Sequence, residues 1–276
     1  MATINAADVA KLRKATLAGM MDCKKALEES NGNFDKAVEI IRKKGLLVAS
    51  KRADRQATEG VVLARTAPGN KSGSMIVLNS ETDFVAQNAE FISLANKILD
   101  LAIAKNPANL DDLKALPFEN STVGDKVVEY IGIIGEKLEL AYFEKVEAAH
   151  VHAYIHQGNR LATLVGFSKG GYNVQIYKDV AMQVAAMNPV AIDKDDVPEK
   201  VIAQEIEIGK EQARRDGKSE DMLGKIAQGK LGKFFKESTL LNQDFVKDNK
   251  ITIRQYLQSI DKELTVTAFK RFTLNL

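Results

Sequence analysis

Apolar and polar positions alternate with different periods along the chain, and the change of period marks its elements. Met75 to Leu78 is a short apolar run, strand-like in length and branching. Further on, Phe91, Leu94, Ala95, Ile98 and Leu101 recur at helical spacing and fall on one stripe about 100° wide. The polar stretch between, Asn79 to Asn88, suits a turn followed by a helix start. The pattern predicts a strand-to-helix corner, with Asp83 and Phe84 side by side on it. A ring in that place either folds back under the helix as a local core anchor or projects into a partner, where aromatic anchors contribute most.

Upstream, three short helical patterns follow one another. Asn5 is placed to cap the first, with Val9 and Leu12 inward; Asp22 the second, with Ala26 and Leu27; Asn33 the third, with Ala37, Val38, Ile40 and Ile41. Gly19, Asn31-Gly32 and Gly45 punctuate these segments as helix stops and turns do. Three helices of this length make a bundle near the lower size limit for independent folding. It resembles the ubiquitin-associated (UBA) type of module, which presents a small apolar patch to a partner. Met20 and Met21 at the loop-to-helix junction either fill a core gap or form an adaptable contact surface. Cys23 has a helix start and two lysines to lower its pKa, yet no histidine precedes residue 150, so it reads as structural and not as a nucleophile. From Leu46 to Gly60 the apolar period is lost and charges gather, as in a solvated connector. Arg42-Lys43-Lys44 with Lys51-Arg52 is either a phosphate contact or, lacking interleaved aromatics, a wet face.

Val61–Arg65 and Ser74–Leu78 predict a hairpin that feeds the corner. A second copy lies 86 positions on: Met75 matches Leu161, Leu78 matches Leu164, Phe91 matches Tyr177, Leu94 matches Val180, Ala95 matches Ala181 and Ile98 matches Val184. His150 to His156 supplies the other strand of this copy. Asp83 then falls opposite Lys169 and Phe84 opposite Gly170. A ring needed only to build the fold should have a bulky counterpart, so the glycine tips Asp83 and Phe84 toward a functional role.

Val123 to Leu138 leans helical with interruptions at Gly132 and Gly135, and Glu139–Val146 reads as a strand. His150, His152 and His156 would share one strand face, but no acidic or cysteine ligand joins them at a typical spacing, so no metal is expected. After Val197 come two charged helical arms, about 198–215 and 219–236, whose narrow apolar seam predicts an antiparallel coiled-coil hairpin. Gly209, Gly224, Gly229 and Gly232 each cost such arms about 1 kcal/mol. A helix at Ile253–Ile260 and a strand at Leu264–Phe269 end the pattern. The expected fold is α+β: a UBA-like module at 1–54, a core N-subdomain at 55–145, and a core C-subdomain at 146–276 with the hairpin inserted at about 197–237. The two subdomains are related strand-strand-helix units with antiparallel sheets.

Composition narrows the function. Among 276 residues, 45% are hydrophobic and 28% charged, as in a soluble globular protein. The formal net charge of +2, from 39 basic and 37 acidic residues, is too balanced to imply a nucleic-acid binder by bulk field. A single cysteine excludes an internal disulfide framework. With no secretory pattern at the start and no apolar run near the roughly 20 residues of a membrane span, a cytoplasmic location is expected. No Walker-type loop or nucleophile triad is visible.

Thr82-Asp83-Phe84-Val85 followed by Asn88, together with Gly19-Met20-Met21-Asp22-Cys23-Lys24-Lys25-Ala26-Leu27, resembles bacterial translation elongation factor Ts. Tyr154-Ile155-His156 with Gly158 and Arg160 is similar to a third signature of that family, and the likeness runs from about Val9 to Phe272. The resemblance implies a partner, elongation factor Tu, and guanine nucleotide exchange without covalent catalysis or a cofactor, the nucleotide being held by the partner. It implies that Thr82, Asp83, Phe84 and Val85 form the exchange element, Asp83 and Phe84 entering between helices of the partner's nucleotide-binding domain and disturbing its magnesium site. Leu12, Met20 and Met21 would dock the first module on the same domain, and His156 would help hold the partner's far domain. No membrane and no direct nucleic-acid contact are expected. Leu17 stands where the family often has glycine, and the chain stops at Leu276 without the extra C-terminal helix of many members. Two other classes stay open on the residues: a UBA-like adaptor for another protein, and an RNA-associated translation factor acting through the Arg42–Arg55 stretch.

Overall fold

Local hydrogen bonding explains where the first helices begin. In the computed structural model, which describes residues 4–16 and 18–274, Asn5 Oδ1 accepts from the Asp8 N–H at 2.8 Å and opens α1 (Ala6–Thr16). The positions singled out at Leu17 and Leu276 lie outside the described residues. Gly19, not Asp22, stands at the start of α2 (Met20–Glu29). Asp22 is inside the first turn, where its charge meets the positive end of the helix dipole and pairs with Lys44. Asn33 accepts from the Lys36 N–H at 3.0 Å and opens α3 (Phe34–Lys51). Val9, Leu12, Ala18, Cys23, Ala26, Leu27 and Ala37 fill the space among the three helices, with Cys23 fully buried.

β1 (Glu59–Thr66) and β2 (Ser72–Ser80) neighbour one another in a sheet. The connection at 67–71 is far too short for a parallel crossover, so the pair is a hairpin. A single turn, α4 (Asp83–Ala86), intervenes before α5 (Ala89–Lys105). Asn88 caps α5 by accepting from Glu90 and Phe91, and Phe91, Leu94, Ala95, Ile98, Leu99 and Ala102 form its buried stripe. Leu101 is only half-buried, on the shoulder of that stripe. α6 (Leu110–Ala115) and the small hairpin of β3 (Pro117–Phe118) and β4 (Ser121–Thr122) lead to α7 (Val123–Ile134). A reciprocal Thr122–Asp125 capping box starts α7, and Gly135 in the left-handed region ends it. β5 (Leu138–Glu147) completes the sheet in the order β1-β2-β5.

Gly45 and Gly132 do not end or interrupt their helices. α3 continues through Gly45 to Lys51 and α7 through Gly132 to Ile134, because the two residues lie where those helices cross. Absence of a side chain at Gly132 serves close backbone approach.

A similar plan recurs downstream. β6 (His150–Ile155) and β7 (Leu161–Phe167) form an antiparallel hairpin, followed by α8 (Val174–Met187). The helical hairpin of α9 (Glu199–Arg215) and α10 (Glu220–Ser238) comes next. β8 (Asp244–Phe245) and β9 (Asp248–Thr252) pair, α11 (Ile253–Ile260) follows, and β10 (Val266–Thr273) adds antiparallel to β7 in the order β10-β7-β6. In both sheets the second hairpin strand is central and the third strand arrives after a helix. Tyr177, Val180, Ala181 and Val184 of α8 are buried, as are Phe91, Leu94, Ala95 and Ile98 of α5. Val165, Phe167, Tyr177, Leu240, Phe245, Ile253 and Leu257 share the downstream core.

The α9–α10 seam combines the expected Leu223 and Leu231 with small residues that the apolar pattern does not single out. Gly209 approaches Ala227 so closely that a Cβ there would be 3.1 Å from its Cα; Ala213, Leu223 and Leu231 are buried beside them, while Ile208 faces solvent. By packing, one unit comprises the described residues through Leu63 with Ile76–Glu144 and Leu274, and the other comprises Ala64–Met75 with Lys145–Thr273. Among the described residues, no helix is long and apolar enough to cross a membrane.

Candidate functional site

The corner between β2 and α5 is built from hydrogen bonds to two carboxylates. Thr82 is extended, and its Oγ1 accepts from the Val85 N–H at 3.4 Å, which starts the α4 turn. The Thr82 N–H and hydroxyl both donate to Glu136, at 3.0 and 2.8 Å. Ser80 Oγ donates to the Thr82 carbonyl at 2.9 Å. Beside it, Glu81 accepts from Arg52 at 2.7 Å, from Arg55 at 3.0 Å and from the Lys137 backbone N–H at 2.6 Å. The Lys137 ammonium in turn donates to the carbonyls of Ala53 and Arg55, both at 2.9 Å.

Electrostatics follow from that arrangement. Burial disfavours the Glu81 carboxylate, but the Lys137 N–H and the two guanidiniums outweigh it and draw the pKa down to about 2. Glu81 is therefore a fixed negative charge over the physiological range, a post to which the end of α3 and the start of β5 are fastened.

On this frame Ala86 is buried, Val85 is half-buried and Asp83 is exposed. Phe84 is 84% exposed, the most exposed large apolar side chain among the described residues. It does not fold under α5, where Phe91 already occupies the core. Burying such a ring against another surface removes on the order of 150–250 Å² from water, so the corner carries unused capacity for contact. At the matching corner downstream, Lys169 is tied to Asp261 at 2.9 Å and Glu263 at 2.6 Å, and Gly170 lies against His150.

The other candidate residues fall in different settings. Met20 and Met21 open α2 with 46% and 65% of their surface exposed. Leu12 departs from the expected contact role: it is 0% exposed, because the inward stripe of α1 places it in the bundle's own core. His156 is exposed just past β6, its Nδ1 2.9 Å from the Tyr154 hydroxyl. His150 has a different environment, stacked on Tyr177 with ring centroids 3.8 Å apart. Arg42 pairs with Glu129 at 2.8 Å, Lys43 with Glu39, Lys44 with Asp22, and Arg52 and Arg55 with Glu81. The basic stretch thus meets carboxylates of its own chain. A cleft of about 570 Å³ is bordered by Lys14, Phe34, Arg42, Lys126, Glu129 and Tyr130, and in it Lys126 lies 2.8 Å from Glu119 and 2.9 Å from Glu129.

Glu81, Glu136 and Lys137 were not visible as site residues in the sequence, and Arg52 and Arg55 stood out there only within the basic stretch, not as partners of the corner. Glu81 adjoins the Thr82–Val85 motif, but its partners lie 26 to 56 positions away.

Fold and corner together define an α+β protein that displays one aromatic on a braced turn. The family model for elongation factor Ts matches residues 81–275. The chain is 52% identical to elongation factor Ts of Porphyromonas gingivalis over 269 residues, 97% of each chain. It is 50% identical to that of Flavobacterium psychrophilum over 275 residues, 99% of this chain and all of the relative. Against that of Christiangramia forsetii the identity is 48% over 275 residues, again 99% of this chain and all of the relative. The chain belongs to the elongation factor Ts family, and its role is that of a translation elongation factor.

Proposed function

We propose that this protein is the guanine nucleotide exchange factor of elongation factor Tu, and that Asp83 and Phe84 perform the displacement. The observation that carries this reading is an almost fully exposed Phe84 on a corner anchored by Glu81 and Glu136. A ligand shifts an equilibrium only by its differential affinity for two states. An exchange factor must therefore bind nucleotide-free partner more tightly than nucleotide-bound partner, and nucleotide then weakens its hold by the same factor. Phe84 wedged between partner helices and Asp83 placed near the magnesium shell supply that difference. Thr82 and Val85 shape the turn that presents them. The reaction needs no covalent step and no cofactor of this chain; nucleotide and Mg²⁺ belong to the partner.

The three N-terminal helices act as a UBA-like module spanning 1–54, and Met20 and Met21 are its contact to the partner's nucleotide-binding domain. Core subdomains span 55–145 and 146–276, with α9 and α10 as an inserted coiled-coil hairpin, and His156 in the second contacts the partner's far domain. Release of a fluorescent GDP analogue from elongation factor Tu, followed by stopped flow, is the test. Phe84→Ala slows it by tenfold or more, about 1.4 kcal/mol in barrier. An unchanged rate removes the wedge from consideration.

A further inference from the structure

Glu81 gathers two other stretches of chain. Arg52 is the C-cap of α3 and Arg55 lies just after it, while the Lys137 N–H comes from the approach to β5. Lys137 closes the arrangement by holding the Ala53 and Arg55 carbonyls with its ammonium. Glu81 itself is mostly buried, its side chain 13% exposed, and it directly precedes the Thr82 cap of the turn bearing Asp83 and Phe84. The helix it grips, α3, packs on α2, which begins with Met20 and Met21. Two exposed apolar features within one packed unit are thus joined through a single carboxylate.

We propose that Glu81 is a positioning residue for exchange: it locks the Asp83–Phe84 corner to the end of α3, so that docking through Met20 and Met21 delivers the ring at a fixed place. This rests on the exchange reading of the corner. Positioning matters because a reacting group displaced by about 1 Å commonly loses on the order of a hundredfold in rate. The charge is needed as well as the shape. A neutral amide of the same size cannot accept from two guanidiniums and a backbone N–H with the strength of a carboxylate.

The test uses the full chain carrying Glu81→Gln, Phe84→Ala, or both, with GDP release measured across factor concentrations. Glu81→Gln is expected to lower the maximal release rate about tenfold and to leave the half-saturating concentration within about twofold, since the contact side chains are untouched. In the Phe84→Ala background its effect is expected to shrink to the part that Asp83 supplies. Arg55→Gln, which removes one exposed donor and leaves the rest of the clamp, gives a smaller loss in the same parameter and guards against a misfolded Glu81 variant.

Equal slowing by Glu81→Gln in both backgrounds overturns the proposal, because a general loss of structure does not depend on Phe84. So does an unchanged rate in Glu81→Gln while Phe84→Ala is slow, and in that case the exchange reading stands. A normal rate in Phe84→Ala overturns the exchange reading itself, and this proposal with it.

Discussion

Gly132 of α7 and Gly45 of α3 meet backbone to backbone: a Cβ on Gly132 would lie 2.4 Å from the Gly45 Cα, whereas a Cβ on Gly45 would lie 3.6 Å from the Gly132 Cα. The asymmetry sets opposite expectations for two similar substitutions. Gly132→Ala gains up to about 1 kcal/mol of helix propensity but drives a methyl into a backbone, and overpacking costs about 1–3 kcal/mol. A net loss of ~1–2 kcal/mol is expected. Gly45→Ala keeps the propensity gain at an ordinary contact distance and stabilises by ~0.5–1 kcal/mol. Thermal unfolding of both variants beside the parent checks the order; a more stable Gly132→Ala would contradict the crossing.

Leu12 and Phe84 resemble one another in the sequence as apolar contact candidates, and the structure separates them. Leu12→Ala opens a cavity among three helices and is expected to cost ~2–5 kcal/mol. Phe84→Ala removes a ring from solvent and is expected to stay within ~0.5 kcal/mol of the parent, even as exchange falls. Denaturant titration and the GDP-release assay, run on the same preparations, distinguish stability from function.

The Glu81 clamp also predicts an acid limb of stability. Its folded pKa of about 2 is depressed below the ordinary value of 4.5, so its contribution is complete above pH 4.5 and disappears as pH falls from 4.5 toward 2. Glu81→Gln removes this titration. Across that window the melting temperature of the parent should drop more steeply than that of the variant; parallel curves would mean the carboxylate is not clamped.

His150 gives a limb at milder pH. Its Nε2 is buried without a hydrogen-bond partner, its ring stacks on Tyr177 near Phe167, and burial holds its pKa below 6.5. His152 shifts the same way, through burial first and then the nearby His150 and Lys178. The unfolded chain takes up these protons more readily, so stability is full above pH 6.5 and declines as pH falls below it. His150→Phe keeps the stack and removes one titration. Its advantage in melting temperature over the parent should therefore be larger at pH 5.5 than at pH 7.5, and a constant difference would exclude the linkage.

Periodic burial was legible in the sequence; proximity between distant segments was not. The α5 stripe at Phe91, Leu94, Ala95 and Ile98 and the limits of α11 at Ile253 and Ile260 follow from local pattern, because helical amphipathicity is written within a few turns. The Asn5 and Asn33 caps follow for the same reason. Gly132 shows the limit: a glycine that interrupts a helix and a glycine that admits a second helix read alike until the second helix is in place. α4 and α6 are too short to establish a period, and neither was anticipated. In the α9–α10 seam the close approach of Gly209 to Ala227 escapes a hydrophobicity pattern, which ranks large apolar residues first. At the corner, the Thr82–Val85 motif stood out while Glu81 did not, since a carboxylate announces its role only through partners brought to it by folding.

Cys23 is the sole cysteine of the chain, and it is sealed in the core of the N-terminal helices. A thiol-reactive dye therefore has nothing native to find while the protein stays folded. Gln87→Cys, on the exposed rim of the corner, would take a maleimide fluorophore alone and turn the neighbourhood of Phe84 into an optical reporter of whatever covers it.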